Sequence, residues 1–130
     1  MKIEKFSDLV VWQEAHELAL SVCKLTEKFP ARERFGVVAQ VRRSAASVCA
    51  NIAEEYGRRT TRELLRSLQI ARGEIEETRY FCILARDLSF IAASDFETVG
   101  ARCDVVGKLI RALSRSLRGR LELERRVSEA

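Results

Sequence analysis

The chain has 130 residues, 47% of them hydrophobic and 32% charged, with six glycines and a single proline. That composition leaves room for one domain with one core, and it excludes a disordered chain, a collagen-like chain and a second domain. The 23 Lys and Arg outnumber the 19 Asp and Glu, a net charge of +4 that is the one global hint of a partner.

No apolar run approaches the ~20 residues that span a bilayer, and Met1-Lys2-Ile3-Glu4-Lys5 lacks the unbroken apolar core of a signal peptide. A cytoplasmic location without a membrane partner is the expectation. Cys23, Cys49, Cys82 and Cys103 are far apart, form no Cys-x-x-Cys pair and sit among apolar neighbours, so they read as small core residues.

Apolar residues recur in steps of three and four, which is helical periodicity. Helix one carries Leu9, Trp12, Ala15, Leu18 or Ala19, Val22, Leu25 and Phe29 on one face, with Ser7 or Asp8 as the cap and Pro30 as the stop. Helix two begins near Arg34, runs through Val38, Val41, Ala45, Val48, Ile52 and Tyr56, and ends at Gly57, where a residue without Cβ suits the left-handed cap conformation. Helix three opens on a capping box, Thr60 to Glu63, and continues through Leu64 or Leu65, Leu68, Ala71, Ile75, Thr78, Cys82, Ala85 and Leu88. Gly73 inside it costs about 1 kcal/mol relative to Ala unless a close helix crossing compensates. Helix four opens on a second box, Ser94 to Glu97, and continues through Phe96, Val99, Cys103, Val106, Leu109 or Ile110, Leu113 and Leu117.

Four amphipathic helices joined by short connections bury their stripes best by running against one another. The predicted fold is all-α, an antiparallel up-down-up-down four-helix bundle. The bundle domain covers residues 1–119, and residues 120–130 form a charged tail expected to fray.

Enzyme chemistry finds few residues to use. A carboxylate-bridged di-metal site needs two Glu-x-x-His motifs, whereas this chain has one histidine, His16, with Gln13 three residues before it. His16 reads as a partly buried or boundary residue. The cysteines lack zinc-ligand spacing, and neither a nucleophile elbow nor a glycine-rich phosphate loop is present. No catalytic residue, metal or cofactor is therefore expected. The pairs Glu54-Glu55 and Glu76-Glu77 point about 100° apart on a helix and read as solvated faces, with Glu54 and Glu55 four residues before Arg58 and Arg59.

Two features ask for a reason. Gln40, Ser44, Ser47, Asn51, Glu54 and Arg58 form a polar stripe beside the apolar face of helix two. Ser and Asn are mediocre in helix interiors, so the stripe is either a solvent boundary or a subunit seam in which Asn51 fixes register. The second feature is charge. Arg42 to Arg72 holds seven basic residues against three acidic, Gly73 to Asp104 three against seven, and Val105 to Ala130 seven against three. The first block is all arginine: Arg42, Arg43, Arg58, Arg59, Arg62, Arg66 and Arg72. Guanidinium pairs bidentately with phosphate, so this cluster is the candidate anion-binding surface, and any nucleic acid would be held by its backbone. A surface charged only for solubility is the competing account.

The segments Phe6 to Ala15, Phe29-Pro30, Gln40 to Ala45, Ser47 to Glu54, Gly57-Arg58 and Ile70 to Gly73 resemble the four-helix bundle proteins of the 23S rRNA intervening-sequence family. The similarity runs from Phe6 to about Leu117. It implies a homopentameric ring of bacterial origin. The accessory variability protein of diversity-generating retroelements is similar to this family and works as a basic pentamer beside a reverse transcriptase and RNA. The implied partners are thus further copies of the chain, RNA or single-stranded nucleic acid, and a reverse transcriptase or other protein. The alternative is a structural or adaptor protein that assembles through helix two without nucleic acid. Three positions depart from the family pattern: Cys49 stands for Pro, Glu55 for Gly and Glu74 for Ser. Without the proline, helix two should run straight.

Overall fold

The computed structural model describes residues 4–57 and 60–130, the side chain of Glu55 excepted. It contains four α-helices, α1 (Val10–Thr26), α2 (Val37–Tyr56), α3 (Thr61–Asp87) and α4 (Ala93–Glu129), and no strand among the described residues. Short 3-10 turns at Phe6–Asp8 and Ala31–Glu33 precede α1 and α2. α1 packs on α2 and α4, and α3 packs on α2 and α4, so each helix has two neighbours around a shared interior. This arrangement is consistent with a four-helix bundle.

The stripes read from periodicity are the ones buried. Leu18 and Val22 from α1, Val41, Val48 and Ile52 from α2, Leu68 and Ile75 from α3, and Val106 and Ile110 from α4 are fully enclosed. Each such side chain contributes roughly 1.5–3 kcal/mol by leaving water. α2 continues unbroken past Cys49, as expected where a residue with a backbone N–H replaces a proline.

Several ends differ from expectation. Neither Ser7 nor Asp8 caps α1: its N-cap is Leu9, and the Asp8 carboxylate instead accepts from the backbone N–H of Glu4 and Lys5, closing the 3-10 turn. The box on α3 holds on the Thr60 side, whose hydroxyl accepts from Glu63 N–H at 3.1 Å. On α4 the helix starts earlier, with Ala92 as N-cap and no side-chain cap, so Ser94 is already inside the helix and its carbonyl accepts from Thr98. Gly57 does not adopt positive φ. Among the described residues the left-handed position belongs to Ser89, at φ 63°. Ser89 N–H bonds Arg86 C=O and Phe90 N–H bonds Ala85 C=O, a Schellman stop for α3 that swings Phe90 onto Phe29 with ring centroids 5.6 Å apart.

Other corrections concern burial. A Cβ on Gly73 would meet nothing within 4 Å, so there is no close crossing there and the residue faces outward. Leu88 follows the last turn of α3 and is half exposed. Cys23 is exposed because Val22 and Thr26 occupy the inward positions of that turn, whereas Cys82 and Cys103 are buried and Cys49 is half-buried. His16 is likewise exposed, stacked on Trp12 with centroids 5.0 Å apart. Residues 120–129, expected to fray, continue α4 as helix, which at 37 residues is roughly 55 Å long against about 25 Å for α1.

Candidate nucleic-acid interface

The polar stripe of helix two is largely used inside the chain. Ser44 is wholly buried against α3, its hydroxyl 2.8 Å from that of Thr78. Ser44 also reaches Val41 C=O, and Thr78 reaches Glu74 C=O, so two hydroxyl protons serve three contacts. Asn51 donates to Ser47 C=O while its own carbonyl accepts from Ser67 of α3 at 2.7 Å. Ser44 is therefore covered by α3 and is not available to a second copy, while Ser47 and Asn51 are half-buried and Gln40 and Glu54 are exposed. Arg58 lies outside the described residues.

On the solvent side of α2, Ala39, Ala46 and Ala50 are exposed in steps of seven and four, with Arg43 between the first two. Heptad-like spacing of these alanines was the available sequence signal for this face, masked by the more conspicuous Ser and Asn.

The predicted arginine cluster divides. Arg42 is spent on the α1–α2 contact, its Nε donating to Thr26 Oγ1 at 2.7 Å and an Nη to Cys23 C=O at 3.3 Å. Arg43 binds Glu77, lies 3.6 Å from Glu74 and reaches Gln40. Glu74 is hemmed in: its Oε2 is buried without a hydrogen bond, and burial, then the charge of Glu77, push its carboxyl above the ordinary value against the pull of Arg43. Arg58 and Arg59 lie outside the described residues. Arg62, Arg66 and Arg72 extend from the exposed side of α3.

α4 supplies what the sequence reading missed. Arg111, Arg115 and Arg118 recur at i, i+4 and i+7 and share one face. From Lys108 to Arg120 every charged residue is basic, with no carboxylate between Asp104 and Glu122. Packing α3 on α4 sets these three beside Arg72, around a groove of about 130 Å³ whose lining includes Gln69 and Ser114. Among the described residues, none of the four arginines is held by a carboxylate within ion-pair distance. Arg118 also lines a neighbouring cleft with Arg62, Leu121, Glu122 and Arg125. There charge is already compensated: Arg125 binds both Glu122 and Glu129, and its hydrogen bond holds the Glu122 carboxyl below the ordinary value.

The groove on the other side of α4, against α1, contains Lys24, Lys28 and Arg102. Asp95 sits among them and lies 3.6 Å from Lys28. Of these three grooves, the one between Arg72 and Arg111, Arg115 and Arg118 concentrates cations without a carboxylate in its lining.

Little else offers chemistry. Among the described residues no group of three or more His, Cys, Asp or Glu side chains could hold a metal ion, and no helix is long and apolar enough to cross a membrane. Burial pushes the thiols of Cys49 and Cys82 up to about 11 and that of Cys103 up to about 12, so all three are protonated and poor nucleophiles at neutral pH.

A family model described as 23S rRNA-intervening sequence protein matches residues 7–112. The fold is similar to the crystal structure of a protein with unknown function from the S23 ribosomal protein family of Bacteroides thetaiotaomicron, with a TM-score of 0.76 and 24% identity over 82% of this chain and 96% of that one. No curated protein matches the sequence.

Proposed function

The chain belongs to the 23S rRNA-intervening sequence protein family, and from that premise we propose that it is a non-enzymatic, cytoplasmic, oligomeric bundle protein that holds RNA or single-stranded nucleic acid on an arginine-rich surface. The observation that supports this reading is the set of Arg72, Arg111, Arg115 and Arg118 gathered on one groove with no carboxylate partner among the described residues. Cations made only for solubility are normally interspersed with the opposite sign. Opposite contacts along α3 and α4, Arg79 with Asp104 and Thr61 with Glu124, support the antiparallel up-down-up-down course. Titrating structured and single-stranded RNA against salt tests the function. Affinity should fall steeply between low and moderate salt; no shift of either RNA at low salt overturns the reading.

A second observation favours assembly through helix two. Exposed Ala39, Ala46 and Ala50 leave a shallow face on which a second copy can approach closely. We assign the subunit seam of a homopentameric ring to this face, with Gln40, Ser47, Asn51 and Glu54 at its margin, and a reverse transcriptase as the protein partner implied by the resemblance. In the adaptor reading, this seam operates without nucleic acid. Solution mass decides: Ala46→Glu should reduce it, and a variant mass equal to wild type counts against the seam.

A further inference from the structure

We infer that the α3–α4 groove is a track for the phosphodiester backbone of one unpaired strand, bound without regard to base. The inference rests on the nucleic-acid reading above and adds where the strand lies, what part of it is held, and which form is excluded.

Location follows from charge. Of the seven arginines expected to bind nucleic acid, Arg42 and Arg43 are committed to Thr26, Cys23, Glu77 and Glu74 within the fold. A phosphate recruited to either must first displace a partner that is already fixed. Arg72 and the α4 arginines have no such competitor among the described residues. Arg111, Arg115 and Arg118 stand about one helical turn apart, roughly 5 Å along the axis, so a chain of phosphates laid along α4 meets a new guanidinium at each turn. Arg72 closes the groove from the α3 side.

Shape and chemistry decide which part of the strand is held. A groove of about 130 Å³ has room for a phosphate group between the guanidiniums. The lining includes Leu68, Gln69, Ile110 and Ser114 beside the arginines and no aromatic ring. Without a ring to stack on, base identity has no purchase here. Packed helices stand 8–10 Å apart, as a general rule, and a cleft between two of them is far narrower than a duplex. The groove therefore suits one strand, with duplex confined to touching its rim.

The test compares wild type, Arg111→Gln/Arg118→Gln, and a control of equal charge change, Arg32→Gln/Arg34→Gln, on the connection between α1 and α2. Each is titrated with a fluorescent single-stranded RNA, with the matching duplex, and with inorganic polyphosphate as competitor, between 50 and 200 mM salt; circular dichroism confirms that the helices are intact. Losing two phosphate contacts should lower the salt slope for the single strand by about 1.4, so that the fourfold salt step costs the groove variant about sevenfold less affinity than wild type. The control should retain the wild-type slope. Polyphosphate should displace the strand, homopolymers of different base should bind alike, and duplex should bind more weakly. Wild-type binding with an unchanged slope in the groove variant overturns the track and leaves the nucleic-acid function standing elsewhere on the surface. Strong preference for one base, or duplex bound as tightly as single strand, likewise overturns it. Absence of all RNA binding by wild type removes the function and the track together.

Discussion

Ser44 and Thr78 share one buried contact between α2 and α3, and each hydroxyl also reaches a carbonyl of its own helix. Ser44→Ala or Thr78→Val alone should cost about 1 kcal/mol in chemical denaturation, while the double variant should cost less than the two together, because no polar atom is left facing an apolar partner. Glu74 sets a pH dependence. Its carboxyl is raised in the folded chain by burial and by Glu77, so the fold retains a proton that the unfolded chain gives up near 4.5. Stability from this group is therefore greatest below that value and declines as pH rises through the raised one. Glu74→Gln should flatten the fall in stability as pH rises above 4.5; an undiminished fall would place its origin elsewhere. Among the thiols, only Cys23 is exposed. A maleimide at neutral pH should label Cys23 alone in the native protein and all four cysteines after denaturation.

The end of α3 carries strain that one substitution relieves. Ser89 occupies a left-handed conformation that an L side chain resists, and the hydrogen bonds of the Schellman stop hold it there. Ser89→Gly should raise the denaturation midpoint, with a gain of up to about 1 kcal/mol once the added flexibility of the unfolded glycine is subtracted. This end also marks the limit of what periodicity reveals. Spacing located all four helices and most of the apolar core, since Val41, Ile52 and Ile75 each lie on the stripe that steps of three and four define, but it passed over Val11, Thr26, Ser44, Ser67, Ile91 and Ser114. Ends were less legible because several chemistries compete for them. Asp8 serves a 3-10 turn instead of α1, Ala92 caps α4 ahead of the Ser94 box, and a serine takes the conformation assigned to Gly57. Residues 120–129 stay helical although they bury little, carried by Glu122 with Arg125 and Arg126 and by Arg125 with Glu129.

For the whole molecule, the arginines show why the proposed binding surface is harder to read than a core. A buried stripe is a property of one helix, whereas the groove needs Arg72 from α3 and three arginines from α4 at positions that only the packing brings together. Of the seven arginines between Arg42 and Arg72, Arg42 and Arg43 are internal ties. Counting charge by segment did register the second basic block, without showing which neighbour it faces. Carboxylates close the groove at both ends: Arg79 with Asp104 and Glu76 on one side, and the Glu122 network on the other. The open stretch from Arg111 to Arg118 is only about 10 Å long, so under the proposed function one copy would grip just a few nucleotides. Grip on a longer strand would then come from several copies of the proposed ring acting on it at once, each supplying a short segment at high effective concentration. Affinity should rise abruptly when an oligonucleotide becomes long enough to reach from one groove to the next, and a smooth, proportionate rise with length would show that the copies act alone. The acidic stops at either end of each short groove thus make strand length, more than sequence, the quantity this protein would measure.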